Sequence, residues 1–272
     1  KNENIQTILL NGRITKKTFN RWKFFANFSK KIFLCFDLCL VSSKQSFLFL
    51  KNLKTKNLKL IGNIKYSQSD TKIINLNHKL KNFLKNKKIW CASSTHDLEE
   101  TICGKIHLKL KKKIKNLLTI IIPRHINRVE KIIAQINVDK LKVIKHSSNT
   151  DIKRNTDIYI VDTYGEASKF YNLSNICFMG GSIINHGGQN PLEPARLGNY
   201  ILNGPNIGNF KEIYEFLSKN NMSITITKLG KIQKIIEKKL NKKISNLNKT
   251  KIIKIGEKIL NGNMIYINKF IK

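Results

Sequence analysis

Short apolar runs alternate with amphipathic stretches along nearly the whole chain, and this alternation is the strongest constraint on its fold. A short apolar run suits a strand buried on both faces, and a longer amphipathic stretch suits a helix covering a sheet. Repeated strand–helix order builds parallel α/β sheets. The pattern predicts strands over 6–10, 36–41 and 58–62, with helices over 15–31 and 43–52 between them. In the first helix Phe19, Trp22, Phe25 and Phe28 recur every three residues and are read as one face. A fresh series begins at Lys88, with strands over 88–92, 117–122, 142–145, 157–161, 176–179 and 200–202. Helices over 98–113 and 127–137 lie within it, and two lysine-rich helices near 231–240 and 249–260 close the chain.

A polar stretch from Ser67 to Asn75 separates the two series and reads as the start of a linker. The expected organisation is therefore a first α/β unit over 1–66, a linker over 67–87 and a second unit over 88–272. Three strands are too few for a covered doubly wound sheet, so the beginning of the first unit is expected to lie outside this sequence, which starts at Lys1 rather than Met.

The residues with chemical potential fall at strand ends, where open α/β sheets bind ligands. Met179 to Gly198 reads MGGSIINHGGQNPLEPARLG. Gly180 and Gly181 would let the backbone turn and approach a ligand, and Gly187 and Gly188 add a second flexible point. Asn190 suits a helix N-cap, Pro191 the first helical position, and Glu193 the capping-box position. Such a helix would aim amide groups at a phosphate, and its carboxylate could accept from ribose hydroxyls. An ordinary Gly-rich loop before a capped helix fits the same residues equally well.

Four further stretches are weaker taken singly. Arg124, after strand 117–122, suits a phosphate or a plain surface, and His125 beside it is read as a cap. Asp162 or Thr163 can cap a helix, while Gly165 would let the backbone come near a base. Ser93, Ser94 and Thr95 bring small hydroxyls to a strand end, with Glu99 and Glu100 read as a helix first turn. Lys65 follows strand 58–62, where an ammonium could stabilise a leaving nucleotide. The chain has 45 lysines (51 basic residues less six arginines), so residue type alone does not single Lys65 out.

The formal net charge of +34 admits an anionic partner, but the abundance of Lys, Asn and Ile equally fits an AT-rich coding bias. Sequence-specific nucleic-acid readers favour arginine, which is scarce here. The absence of a GxxxxGK[ST] loop and of a GxGxxG opening either series disfavours P-loop and dinucleotide binding. No Asp-x-Asp or histidine cluster in the sequence suggests a metal, and five scattered cysteines argue for a reducing compartment rather than a disulfide framework. No run reaches the roughly 18 apolar residues of a membrane span.

In order and spacing, WCASSTHDLEE, IIPRH, VDTYGE, MGGSIINHGGQNPLEPA and GPNIGNF resemble the motifs of the 3-deoxy-D-manno-octulosonic acid (Kdo) transferases of lipopolysaccharide synthesis. LLNGRIT and LIGNIK resemble the same family's N-terminal domain. The resemblance covers nearly the whole chain; NPLEPA and the ordered set are specific, whereas PRH or GNIK alone would not be. It implies a GT-B fold of two Rossmann-like domains, the first incomplete here, with the active site between them. It also implies transfer of Kdo from CMP-Kdo to the lipid A precursor (lipid IVA), with inversion, no metal and no cofactor.

By motif match, CMP would be held by Pro123, Arg124, Tyr164, Gly165, Glu166, Asn190, Pro191, Leu192 and Glu193, and Lys65 would stabilise the transition state. The implied location is the cytoplasmic face of the inner membrane, with an anionic membrane surface as partner and no nucleic acid. The chain departs from the family pattern at Leu98, where glycine is usual, and at Tyr164, where methionine is more common. The family's general base, a glutamate, and its membrane anchor are expected upstream of this sequence, and Glu3 matches no motif. A GT-B enzyme using another nucleotide sugar and a basic nucleic-acid-binding protein are the alternatives.

Overall fold

In the computed structural model every paired strand is parallel to its neighbours. The structure describes residues 5–67, 76, 78–148, 153–242 and 246–271, apart from the side chains of Leu247 and Asn248. By contacts the chain divides into two units, 1–69 with 251–272, and 70–250. Most of the stretch expected to open a linker, Ser67 to Asn75, lies outside the described residues.

The first unit contains β1 (Ile8–Gly12), α1 (Lys16–Phe24), α2 (Ala26–Phe33), β2 (Leu38–Val41), α3 (Lys44–Asn52) and β3 (Leu58–Leu60). Its sheet has the order β1-β2-β3. Thr15 and Ser43 cap α1 and α3 by accepting from the amides of Thr18 and Ser46. The expected single helix over 15–31 is two helices, broken at Phe25 (φ −100°, ψ 51°). A three-residue spacing drifts around a helix of 3.6 residues per turn, so one face cannot bury all four aromatics. Phe19 and Trp22 pack on the core of Ile14, Phe33, Cys39, Val41, Leu50 and Leu53, while Phe25 and Phe28 remain exposed.

The second unit contains α4 (His78–Leu84), β4 (Lys88–Thr95), α5 (Glu99–Lys111), β5 (Leu117–Pro123), α6 (Val129–Asn137), β6 (Val143–Lys145), β7 (Ile158–Ile160) and α7 (Ala167–Tyr171). It continues through β8 (Ile176–Met179), α8 (Leu192–Arg196), β9 (Tyr200–Asn203), α9 (Lys211–Lys219), β10 (Ser223–Thr225) and α10 (Gly230–Lys239). The seven strands lie in the order β10-β9-β8-β4-β5-β7-β6. All seven residues of β5 are buried, as a parallel strand covered on both faces requires. Trp90, Leu110, Ile121, Ile132, Ile136 and Phe178 are among the residues that close the core.

One polar network sits inside this core. The His107 ring lies 2.8 Å from Thr119 Oγ1 and 3.3 Å from Asp157 Oδ1, while Lys111 and the Lys142 amide donate to the same carboxylate. Burial alone would raise the Asp157 pKa. The hydrogen bonds from His107 and Lys111 more than offset that and hold it well below the usual carboxylate range. Every member has a partner, so the network fixes β5 against α5 without supplying a reactive group.

Helix α11 (Asn246–Ile271) is far longer than the expected 249–260, and its residues from 251 onward belong with the first unit rather than the second. Buried Ile252 and Ile259 account for this, because apolar spacing announces a helix but not which sheet it covers. Glycines permit the close approach. A Cβ on Gly256 would fall 2.1 Å from the Tyr66 carbonyl oxygen, and one on Gly262 3.1 Å from Ile61 Cγ2. Alanine in a helix interior ordinarily gains about 1 kcal/mol over glycine. Here a clash with backbone outweighs that gain, so Gly256→Ala is expected to lower unfolding stability by about 2 kcal/mol, read by urea denaturation.

Candidate functional site

Strand β4 opens the seven-stranded sheet, β5 lies on one side of it and β8 on the other, so the order of growth reverses between β4 and β8. The crevice beyond the carboxyl ends of two such strands is where doubly wound sheets take ligands. The loop after β4 (residues 96–98) and the loop after β8 (residues 180–191) meet there.

A buried carboxylate joins these loops. Glu99 is fully buried and accepts from the amides of His96 (3.0 Å), Gly181 (2.7 Å), Ser182 (3.1 Å) and Ile183 (3.0 Å). Around it the chain adopts positive φ at two non-glycine residues, Ser94 (53°) and Leu98 (75°). Such conformations cost of order 1–3 kcal/mol each and persist where surrounding contacts enforce them. The neighbouring Glu100 is also buried, which pushes its carboxyl above the usual range; Arg128 pairs with it at 3.1 Å and with Asp97 at 3.0 Å.

The glycines of the 180–188 loop let the chain pack closely on itself. A Cβ on Gly180 would sit 2.4 Å from the Ser94 carbonyl oxygen, one on Gly181 3.2 Å from the His96 ring, and one on Gly187 2.4 Å from the Asn209 side chain. The GPNIGNF segment clamps the same loop from outside. The Gly204 amide donates to Ser182 Oγ (2.8 Å), Asn206 Nδ2 to the Ile183 carbonyl (3.0 Å), and the Asn209 amide to the Gly187 carbonyl (2.9 Å). The amides of 181–183 are thus committed to Glu99.

Pro123 ends β5, and Arg124 follows with its amide bonded to the Thr95 carbonyl (3.0 Å) and its guanidinium exposed. Tyr164 is 70% exposed, and Gly165 has φ 80° with nothing crowding its Cβ position. Glu166 lies beside them but is engaged inward. Lys169, Thr163 Oγ1 (2.5 Å) and His146 Nε2 (2.8 Å) surround its carboxylate. Those hydrogen bonds, the one from Lys169 first, draw its pKa down to about 2.

Asn190 Oδ1 accepts from the Leu192 amide (3.2 Å), and Pro191 and Leu192 are buried. Glu193 is half-buried at the start of α8, and burial raises its pKa against the opposing charge of Arg196. Helix α8 is only five residues long, since it contains Pro194 and is followed by Gly198 at φ 95°. Its macrodipole is correspondingly weak, and the expected phosphate-binding helix end is better described as a capped turn. Lys65 belongs to the first unit, exposed on a single 3₁₀ turn over Ile64–Ser67 whose start is fixed by the Asn63 side chain accepting from the Lys65 amide (3.1 Å).

Other expectations are corrected by the bonds made. Asp162 does not cap α7; it accepts from the amide (2.8 Å) and hydroxyl (2.5 Å) of Ser147, and Thr163 donates to Glu166. His125 makes no side-chain cap bond and instead stands edge-on to His96, 5.8 Å between centroids. Glu99 does sit in the first turn of α5, yet its clamp on the β8 loop was invisible in sequence, because the two segments are more than 80 residues apart. The available signal was a glutamate pair after a strand-end histidine, facing a Gly-Gly turn.

Residues 1–68 match the family model described as 3-Deoxy-D-manno-octulosonic-acid transferase (kdotransferase). The chain is 29% identical over 270 residues to the 3-deoxy-D-manno-octulosonic acid transferase of Rickettsia bellii, covering 97% of this chain and 64% of that protein. It is 35% identical over 164 residues to the enzyme of the same name from Haemophilus influenzae, covering 60% and 38%. The chain thus spans less than two thirds of the curated relatives it matches.

Among solved structures, it resembles the C-terminal CMP-Kdo binding domain of WaaA from Acinetobacter baumannii, at 26% identity and a TM-score of 0.56, covering 65% of this chain and 91% of that domain. It also resembles the trehalose-6-phosphate synthase OtsA at 11% identity and a TM-score of 0.58, covering 98% and 68%, a likeness of fold alone. The fold class is that of the GT-B glycosyltransferases.

The Glu99 clamp carries two expectations. Glu99→Gln keeps the volume but turns an amide donor toward backbone donors, so urea denaturation should show a loss of about 2–4 kcal/mol. Leu98→Gly removes left-handed strain at an exposed side chain and should raise the thermal midpoint, by about 1 kcal/mol of stability.

Proposed function

We propose, from the match of residues 1–68 to the family model of Kdo transferases and the likeness of most of the chain to curated 3-deoxy-D-manno-octulosonic acid transferases, that this protein transfers Kdo from CMP-Kdo to the lipid A precursor in lipopolysaccharide synthesis, inverting the anomeric centre without a metal. The observation that supports this reading is that Arg124, the 164–166 turn and the 190–193 turn each follow the carboxyl end of a strand of one parallel sheet, β5, β7 and β8 in turn. That sheet belongs to a chain resembling a solved CMP-Kdo binding domain along nine-tenths of the domain's length.

In this reading the second unit holds the nucleotide. The Arg124 guanidinium neutralises the phosphate, with Pro123 beside it. The backbone around Gly165 borders the base, with Tyr164 as an exposed flank. Asn190, Pro191 and Leu192 set the turn from which the Glu193 carboxylate accepts from the ribose hydroxyls. The acceptor hydroxyl loses its proton to a base and attacks the anomeric carbon as the bond from that carbon to the phosphate oxygen breaks. CMP leaves with the bonding pair, its charge stabilised by Arg124 and Lys65.

The proposal extends to an anionic membrane surface. From Ile5 to Phe36 the chain has seven basic residues and no acidic one. There Phe24, Phe25 and Phe28 are exposed beside a cavity of about 540 Å³ lined by Thr18, Arg21, Trp22, Phe25 and Phe28. Exposed aromatics with Arg21, Lys23, Lys30 and Lys31 close by in the sequence suit the headgroup region of an anionic leaflet, where each cation contributes roughly 1 kcal/mol. Among the described residues no helix is long and apolar enough to cross a membrane.

Calorimetric titration with CMP, UMP, GMP and AMP tests the nucleotide site. Selective CMP binding is expected, weakened about tenfold in Arg124→Ala, which corresponds to ~1.4 kcal/mol. A preference for UMP or GMP would redirect the reading to another nucleotide sugar.

A further inference from the structure

Three histidines from three neighbouring strand ends meet at the switch point of the second unit. His96 follows β4, His125 follows β5, and His186 lies in the loop after β8. The His96 ring centroid is 4.2 Å from that of His186 and 5.8 Å from that of His125. His96 is only 6% exposed, whereas the two rings against it are open to solvent. Gly181 bounds a further side, since a Cβ there would lie 3.2 Å from His96 Cε1.

The protonation state of His96 follows from its one hydrogen bond. Nδ1 lies 3.0 Å from the Ser94 carbonyl oxygen, which can only accept, so Nδ1 carries the proton. Burial first, and then the charges of His186, His125 and Arg128, pull the ring's pKa down to about 4, so at neutral pH it is uncharged. Nε2 therefore presents a bare lone pair, and it is buried without a hydrogen-bond partner. An unsatisfied buried acceptor is unfavourable, and a ligand hydroxyl would relieve it. Among the described residues no group of three His, Cys, Asp or Glu side chains is arranged to hold a metal ion.

We propose that His96 Nε2 accepts a hydrogen bond from a hydroxyl of the sugar carried on the nucleotide, with His125 and His186 walling the subsite. This rests on the nucleotide-sugar reading above and names the part of the ligand that the CMP contacts leave unassigned. A bare lone pair repels a phosphate oxygen and attracts a hydroxyl proton, so the subsite is for the sugar. Of the nearby charges, Glu99 is committed to four amides and Arg128 to Glu100 and Asp97.

The test is calorimetric titration of the chain with CMP and with freshly prepared CMP-Kdo, in wild type and in His96→Asn. The asparagine amide nitrogen can keep the bond to the Ser94 carbonyl but ends short of Nε2. The variant should bind CMP as wild type does and bind CMP-Kdo about tenfold more weakly, a loss of ~1.4 kcal/mol. Equal CMP-Kdo affinity in the two proteins overturns the proposal. A wild type that binds neither ligand overturns the nucleotide reading and the proposal with it.

Nitrogen-15 NMR of histidine-labelled wild type is independent of how the variant folds. CMP-Kdo, but not CMP, should move the His96 Nε2 resonance in the direction of an accepted hydrogen bond, and a resonance unmoved by CMP-Kdo refutes the assignment. The affinity gained from the sugar should stay level from roughly pH 8 to 6. A gain that grows as the pH falls would mean that a protonated ring takes an anion instead.

Discussion

The geometry of the second unit's ligand face depends on the placement of one carboxylate. A carboxylate withdrawn from water costs several kcal/mol unless its oxygens find donors. Glu99 finds four, all backbone amides, three of them from the loop after β8 and one from the residue after the β4 strand. The two strands flanking the switch point are thereby joined at their carboxyl ends by the side chain as well as by their ladder. The left-handed backbone at Ser94 and Leu98 is tolerated because this arrangement offsets it.

Committing those amides internally has a chemical consequence. Gly-rich loops in α/β proteins often bind phosphate through exposed amides. This loop satisfies its amides with its own glutamate, and short α8 offers little dipole in compensation. In the proposed reading anion recognition falls to side chains, above all Arg124, whose guanidinium offers directional bonds that a helix end lacks. The same closure places the His96 ring under the loop, its proton fixed on Nδ1 by the Ser94 carbonyl.

In the first unit the corresponding constraint is steric. The turn that bears Lys65 packs under α11, and Gly256 is what lets the helix reach the Tyr66 carbonyl. Lys65 is one lysine among 45, and what distinguishes it structurally is that its turn is held on both sides, by the Asn63 side chain and by the helix.

Strand positions were legible because parallel strands buried on both faces leave unbroken apolar runs: 176–179 and the start at Lys88 emerged as read. The short edge strand β10 was missed, since two of its three residues are exposed and carry no such run. The break at Phe25 and the full length of α11 were missed because both depend on what each helix packs against. At the site, local sequence identified the strand-end segments and the turn at Asn190, where a side chain bonds the backbone two residues on. It did not identify the partner of Glu99, the inward turn of Glu166 or the meeting of three histidines, since each joins segments distant in the chain or depends on burial. The sequence alone thus determined the periodicities, the turns and the chemical types available at each strand end, because these follow from neighbours a few residues apart. Only the tertiary structure decided which amides are spent on Glu99, which imidazole nitrogen is left bare and which unit α11 joins, because burial and hydrogen-bond satisfaction are properties of the packed chain.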